Sequence, residues 1–160
     1  MPATIPIANR LIFVLSVIGA FVAGYLWYLH ATHADIPCGM SSGCEMVAAS
    51  KYARFPEGTS GPWYVAAWGT IGYLGFAILS FLRTLQTSPE RDRILLGLLI
   101  LGAVAGTVFS LRLTYLEIYV IHAICKWCIT SQVIIFAIAA ISFSEWLGGR
   151  HSLLASSTEN

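Results

Sequence analysis

Long apolar runs alternate with short polar segments along the chain. The runs cover residues 11–30, 63–82, 94–121 and 129–146. Because an α-helix rises about 1.5 Å per residue, roughly 20 apolar residues cross the hydrocarbon core of a bilayer. The pattern therefore predicts four membrane-spanning helices, and the third run is long enough to protrude from the bilayer on one side.

The longest polar segment, residues 31–62, follows the first run. Within it, residues 45–52 mix small and apolar side chains, which predicts a short helix lying on the bundle at the membrane interface. Residues 148–160 form a polar tail that we expect to be disordered. The expected fold is all-α: one integral membrane domain over residues 1–160, a four-transmembrane-helix bundle with a short extra helix in the first extracytoplasmic loop.

The composition agrees with a membrane protein, since 57% of the 160 residues are hydrophobic and 11% are charged. Soluble domains carry about 25% charged residues. The net charge of +1 provides no basic surface, so nucleic acid is not expected as a partner. Membrane lipid is the expected surrounding.

Lysines and arginines in short loops predict the orientation, because cytoplasmic loops carry an excess of them. With four spans, both chain ends share one side, and that side holds Arg10, Arg83, Arg91, Arg93 and Arg150. The opposite side holds Lys51, Arg54 and Lys126. Both termini are therefore expected in the cytoplasm, and the four cysteines are expected to face an oxidising compartment.

One cysteine pair, Cys125-Lys-Trp-Cys128, directly precedes the fourth apolar run. If that run is a helix, both sulfurs lie in or beside its first turn. The positive end of the helix dipole stabilises a thiolate there, and Lys126 can add to this field. A thiolate with a second thiol close by is the arrangement that thiol–disulfide exchange requires.

The other pair, Cys38 and Cys44, encloses five residues that include Gly39 and Gly43. A disulfide across so short a ring stabilises the fold by only about 2 kcal/mol, which favours a redox shuttle over a structural staple. A single zinc site built from all four cysteines is a further alternative. The spacing of this pair exceeds the two to four intervening residues usual in zinc sites.

Electrons that reach Cys125 and Cys128 need an acceptor. The chain has no haem-attachment motif, dinucleotide fingerprint or flavin signal. For a dithiol at the membrane, a lipid-soluble two-electron acceptor such as a quinone is the simplest partner. Glycines at positions 69, 72 and 75 in the second run either allow close helix packing, the commoner use, or leave room for a flat ligand.

These features resemble the vitamin K epoxide reductase family, in particular its bacterial branch. The likeness extends from about Leu11 to Trp146 and is strongest over Phe109-Ser-Leu-Arg-Leu-Thr-Tyr-Leu-Glu-Ile-Tyr-Val-Ile-His-Ala-Ile-Cys-Lys-Trp-Cys128. A second specific mark is Ser50, six residues after Cys44. The resemblance implies a four-helix bundle around a quinone of the ubiquinone, menaquinone or vitamin K type.

The resemblance also implies roles for individual residues. Cys125 and Cys128 would be the active-site pair, with Cys128 next to the quinone, and Cys38 and Cys44 would be the shuttle pair. Ser50, on a short helix that covers the pocket, and Tyr52 would lie at the quinone. Trp68, in an aromatic belt at the start of the second run, is a further candidate for quinone binding. No metal ligand is implied. The protein would lie in a bacterial inner membrane, with its cysteines facing the periplasm or exterior.

Two functions follow as hypotheses. The first is a quinone-dependent enzyme that generates disulfide bonds and takes electrons from a separate thioredoxin-fold redox protein through the two cysteine pairs. Glu117 and His122 are then candidates for proton delivery, and the equal alternative for each is a polar residue at a helix end near the membrane interface. The alternative is a non-enzymatic membrane scaffold with two structural disulfides.

Overall fold

The computed structural model describes residues 7–38, 43–56, 63–86 and 88–157, with side chains as far as residue 148. Its α-helices are α1 (Ile7–Thr32), α2 (Gly43–Ala49), α3 (Val65–Leu85), α4 (Pro89–Leu116) and α5 (Lys126–Ser157). A 3-10 turn, Lys51–Ala53, follows α2, and a π-helical turn, Glu117–Ile121, extends α4. Helices α1, α3, α4 and α5 are long and apolar enough to cross a membrane. No strand occurs in the described ranges, so the predicted all-α four-helix membrane bundle is confirmed.

The middle of the bundle is packed by apolar side chains from all four long helices. Its buried residues include Ile12, Tyr73, Leu99 and Ile138. Gly19 of α1 lies directly against the Tyr73 ring of α3, and a Cβ atom at Gly19 would lie 2.5 Å from that ring. The absence of a side chain at Gly19 therefore lets these two helices approach closely.

One end of the bundle carries a buried polar network that we call the arginine end, formed by Asn9, Ser80, Arg83, Asp92 and Glu145. Arg83 Nε donates to Asp92 Oδ1 at 2.9 Å, and Arg83 Nη1 donates to Glu145 Oε2 at 2.8 Å. Asn9 Nδ2 donates to the Ser80 carbonyl at 3.0 Å. The network ties α1, α3, α4 and α5 together, and it satisfies polar groups that would be costly to bury alone.

Helix α4 begins before the apolar run predicted from the sequence, and α5 continues beyond its run. Pro89 at the first turn of α4, with Glu90 and Asp92 beside it, starts a helix, because proline is tolerated there and acidic side chains complement the helix dipole. The sequence predicts a disordered tail over residues 148–160, whereas the helical backbone of α5 continues to Ser157. The leucines and alanine of residues 153–155 are strong helix formers.

The opposite end, which we call the cysteine end, is where α4 stops and the chain turns into α5. The Glu117 carbonyl accepts the backbone N–H groups of His122 and Ala123, the latter at 3.0 Å. His122 adopts a left-handed conformation with φ of 54°, which closes the π-helical turn. This reversal places Cys125 immediately before the start of α5.

Candidate active site

Both cysteine pairs lie together at the cysteine end. Cys38 and Cys44 form a disulfide, and Cys125 and Cys128 are free thiols. Cys38, Cys44 and Cys125 are buried in one apolar cluster, and Cys128 packs against it. The fold therefore assembles two sequence-distant pairs into a single site.

Two contacts join the segments that carry these pairs. Gly43, next to Cys44, lies so close to Ile124 that a Cβ atom at Gly43 would be 2.5 Å from the Ile124 carbonyl oxygen. Trp127 Nε1 donates a 3.1 Å hydrogen bond to the carbonyl of Pro37, next to Cys38. Each contact is between direct neighbours of the cysteines, so the loop pair is held against the helix pair. In the sequence, Gly43 indicates only loop flexibility, and Trp127 has no recognisable role.

The first turn of α5 organises Cys125 and Cys128. The backbone N–H of Cys128 donates to Cys125 Sγ at 3.4 Å, and the Ile129 N–H donates to the Cys125 carbonyl at 3.1 Å. The hydrogen bond from the Cys128 thiol lowers the pKa of Cys125, and the N–H groups of Cys128 and Trp127 act in the same direction. These N–H groups belong to the N-terminus of α5. Part of the lowering of the Cys125 pKa is therefore the effect expected for a cysteine at the start of a helix.

A cavity of about 520 Å³ lies beside the cysteines, between the long helices and beneath α2. Cys44, Cys125 and Cys128 all border it, and most of its remaining lining is apolar. Atoms added as Cβ at Gly72 and Gly75 would meet nothing within 4 Å, whereas a Cβ at Gly69 would contact Ala23 at 3.5 Å. Two of the three glycines in α3 therefore leave space rather than pack a helix.

The three residues predicted to bind a quinone all border this cavity. Ser50 directly follows α2, and its hydroxyl donates to the Val47 carbonyl at 2.7 Å, which closes the end of that helix. Tyr52 lies in the 3-10 turn, and Trp68 in α3 donates from Nε1 to the Phe55 carbonyl at 3.2 Å. The structure therefore brings all three together around one space.

The two candidates for proton delivery have different surroundings. Glu117 is 5% exposed, borders the cavity and accepts the backbone N–H of Cys125 at 3.1 Å. Its carboxylate is also within hydrogen-bonding reach of the Cys128 thiol. His122 is exposed and does not border the cavity. Only Glu117 is therefore in place to exchange a proton with the thiols.

The cavity fits a flat, largely apolar molecule. Its open glycine positions in α3 give a smooth wall, and its lining in the described ranges contains no lysine or arginine. In the described part of the chain, no group of three or more His, Cys, Asp or Glu side chains is arranged to hold a metal ion. Among the described residues, the reactive groups next to the cysteine pairs are thus two thiols, a disulfide and the Glu117 carboxylate.

A membrane-embedded helical bundle with a Cys-x-x-Cys dithiol at a helix start and a second cysteine pair against it defines a class of membrane thiol oxidoreductase. The profile of the Vitamin K epoxide reductase family matches residues 10–143 of this chain. That span contains the second and third membrane-crossing segments, most of the first and fourth, and all four cysteines, and the chain belongs to this family. It is accordingly a multi-pass membrane oxidoreductase that acts on thiols.

Proposed function

We propose that this protein generates disulfide bonds by passing electrons from a thiol protein to a membrane quinone. The observation that carries the proposal is the junction between the pairs, where Gly43 abuts Ile124 beside a cavity bordered by Cys44, Cys125 and Cys128. Thiol–disulfide exchange needs sulfurs that can approach one another, and this junction supplies that approach.

In the proposed relay, a thiolate of the partner attacks Cys38, and the Cys38–Cys44 bond breaks. The second thiol of the partner then resolves the mixed disulfide, so the partner leaves oxidised and Cys38 and Cys44 remain as thiols. Cys44 next attacks Cys125 of a Cys125–Cys128 disulfide and releases Cys128 as a thiolate, which takes up a proton given up by the attacking thiols. Cys38 attacks Cys44 in turn, which restores the first disulfide and frees Cys125.

A quinone bound in the cavity supplies an acceptor for two electrons and two protons. Cys128 borders the cavity within the first turn of α5 and is proposed as the sulfur that meets the acceptor. Cys125 pairs with Cys44, because both lie in the same buried cluster. Ser50, Tyr52 and Trp68 are proposed to hold the ring, and the apolar lining excludes water from the reacting atoms.

The orientation and the partner belong to the same proposal. The excess of arginine on the side of the chain ends supports cytoplasmic termini in a bacterial inner membrane. The cysteine end would then face the periplasm or exterior, where an oxidising environment favours disulfides. The thiol donor is proposed to be a separate thioredoxin-fold protein, and the ubiquinone, menaquinone and vitamin K types are the candidate acceptors.

The test compares two donors in the Cys44→Ala variant. Quinone reduction is measured with dithiothreitol, which is small enough to reach Cys125 and Cys128, and with a reduced thioredoxin-fold protein. The variant should keep the first activity and lose the second, while Ser144→Ala, an exposed change on α5, should keep both. Equal use of both donors by Cys44→Ala would contradict the relay. Quinone reduction by neither donor in the parent would favour a scaffold with structural disulfides.

A separate test distinguishes the proposed roles of the active pair, in which Cys125 exchanges with Cys44 and Cys128 meets the quinone. Cys128→Ala should accumulate a disulfide between Cys44 and Cys125, seen as a mobility shift after alkylation and located by mass mapping. Cys125→Ala should instead leave Cys128 as a lone thiol at the cavity. A Cys44–Cys128 cross-link in Cys125→Ala, without a Cys44–Cys125 cross-link in Cys128→Ala, would reverse the two assignments.

A further inference from the structure

Oxidation of two thiols to a disulfide releases two protons as well as two electrons. Once Cys125 and Cys128 are bonded to each other, neither sulfur can hold a proton. A thiolate at Cys125 can serve as a transient base for Cys128, but it loses that capacity when the bond forms. A group outside the pair has to accept the proton that leaves Cys128.

Glu117 is placed to be that group. Its Oε2 accepts the Cys125 backbone N–H at 3.1 Å, and its carboxylate is within hydrogen-bonding reach of the Cys128 thiol. It also borders the cavity, so a proton held there faces the space proposed for the acceptor. Neither salt bridge in the described part of the chain involves Glu117.

A buried carboxylate without a cationic partner is costly, because the protein interior solvates its charge poorly. Glutamine would accept the same backbone N–H without that cost. A purely structural role at this turn therefore does not account for a carboxylate, whereas proton exchange with a thiol does.

The other titratable side chains around the cavity, apart from the cysteines, are differently engaged. They are His30, Tyr52 and Tyr73. His30 Nδ1 is 2.7 Å from the Leu26 carbonyl. Tyr73 donates its hydroxyl to the Ser131 carbonyl at 2.7 Å, and the Tyr52 ring lies under the Lys51 ammonium at 5.0 Å. None of these contacts leads to the thiol pair.

We propose that Glu117 is the catalytic proton acceptor of the Cys125/Cys128 pair, which deepens the quinone-dependent function and rests on it. The S–H bond of Cys128 breaks and its proton moves to the Glu117 carboxylate, while the Cys125–Cys128 bond forms. The electron pair passes to the quinone of the proposed function. The reduced acceptor takes one proton from Glu117, which restores the carboxylate, and its second proton from water, which received a proton when Cys125 ionised.

The test uses Glu117→Gln, which keeps an acceptor for the Cys125 N–H but cannot take a proton. With dithiothreitol as donor, quinone reduction should fall about 10²-fold or more, the scale of general-base catalysis. Glu117→Asp, which keeps a carboxylate, should retain more activity than Glu117→Gln. Glu90→Gln, the same substitution at an exposed residue in the first turn of α4, is the matched control. It should stay within about threefold of the parent.

The second readout needs no quinone. Reduced protein is treated with iodoacetamide at a series of pH values. Mass mapping at low extents of modification then gives the alkylation rate of Cys128 at each pH. A free thiol reacts about tenfold faster per pH unit below its pKa, because the thiolate is the reactive form. An internal acceptor shares the proton with the thiol. In the parent, the alkylation rate of Cys128 should therefore rise less than about tenfold per pH unit, and in Glu117→Gln it should rise about tenfold.

Three outcomes are decisive. Glu117→Gln turnover within about threefold of the parent would overturn the proposal. A fall in turnover with an unchanged alkylation profile would assign Glu117 to positioning alone and would also overturn it. A parent without quinone reduction, combined with the steeper alkylation slope in Glu117→Gln, would reject the proposed function yet support proton sharing by Glu117.

Discussion

The arginine end and the cysteine end each bury a carboxylate, and the two carboxylates have different partners. Glu145 pairs with the Arg83 guanidinium at 2.8 Å. Glu117 accepts the N–H of Cys125 and faces the Cys128 thiol. A carboxylate paired with a fixed cation holds helices together. A carboxylate next to thiols, whose protons exchange, is suited to proton transfer.

Packing differs in the same way. The Tyr73 ring occupies the space where a side chain at Gly19 would lie, so the close approach of α1 and α3 depends on glycine at this position. Gly72 faces open space in the cavity. Glycine therefore allows close contact at one position and leaves open space at the other.

The largest effect on folding is expected for Arg83→Met at the arginine end. The change leaves Glu145 buried without its cation, and breaking such a pair costs about 3–5 kcal/mol. Asp92 is 42% exposed on its side chain, so water compensates that second partner in part. Thermal unfolding in detergent measures the loss, and Arg91→Met, an exposed change in the first turn of α4 next to Asp92, should be nearly neutral. Equal stability of the two variants would show that the network does not hold this end together.

The next effect is expected at the junction of the cysteine pairs. Gly43→Ala places a methyl group 2.5 Å from the Ile124 carbonyl oxygen, so the two backbones have to separate. Reduction of quinone with the thioredoxin-fold donor should fall about 10²-fold, because small misplacements of reacting groups carry such costs. Activity with dithiothreitol should persist. Gly97→Ala, where the added methyl meets nothing within 4 Å, is the control. Electron transfer from the thioredoxin-fold donor at the parent's rate in Gly43→Ala would show that the close contact of Gly43 with Ile124 is not needed.

A matched pair of glycine substitutions tests packing against vacancy. Gly19→Ala should destabilise the bundle by about 1–3 kcal/mol, because the methyl overlaps the Tyr73 ring. Gly72→Ala should be neutral or stabilise by roughly 0.5–1 kcal/mol, since alanine favours a helix more than glycine does. Unfolding midpoints of both variants provide the comparison. Destabilisation by Gly72→Ala would mean that α3 packs closely where the cavity lies.

The smallest effect concerns the reactivity of Cys125 with pH. Its pKa is lowered, chiefly by the hydrogen bond from Cys128, so its thiolate should persist at pH values where an ordinary thiol is protonated. As the pH falls from the ordinary thiol range, alkylation of Cys125 should stay fast, and it should be lost only below the lowered pKa. Mass-resolved alkylation of the reduced protein measures this. A pH profile equal to that of an unfolded peptide with the same sequence would contradict it.

The sequence contains most of the fold, because long apolar runs in a membrane have few alternatives to helices. It also identifies the cysteines by their spacing, and the resemblance to the family identifies Ser50. The start of α4 was harder to predict, since Glu90 and Asp92 resemble a polar loop until their helix-dipole role is considered. Arg83 was assigned to a short loop by charge counting, whereas it is a buried member of α3.

The contacts that complete the site could not be predicted in the same way. Glu117 acquires its place from a π-helical turn and from the left-handed residue His122, and neither has a periodic signal. The Gly43 and Trp127 contacts are between segments more than 80 residues apart, so no local pattern encodes them. For the glycines at 72 and 75, the sequence leaves two uses open, close helix packing and space for a flat ligand, because small residues serve both and packing is the commoner.

The cavity beside the cysteines also links folding to the supply of its ligand. A molecule that fills this space of about 520 Å³ binds the folded chain, and the unfolded chain offers no such space. By mass action, a ligand present at about 100 times its Kd adds about 2.7 kcal/mol to the free energy of unfolding. With the proposed quinone as that ligand, the fraction of folded protein in a membrane would rise and fall with the quinone concentration around it.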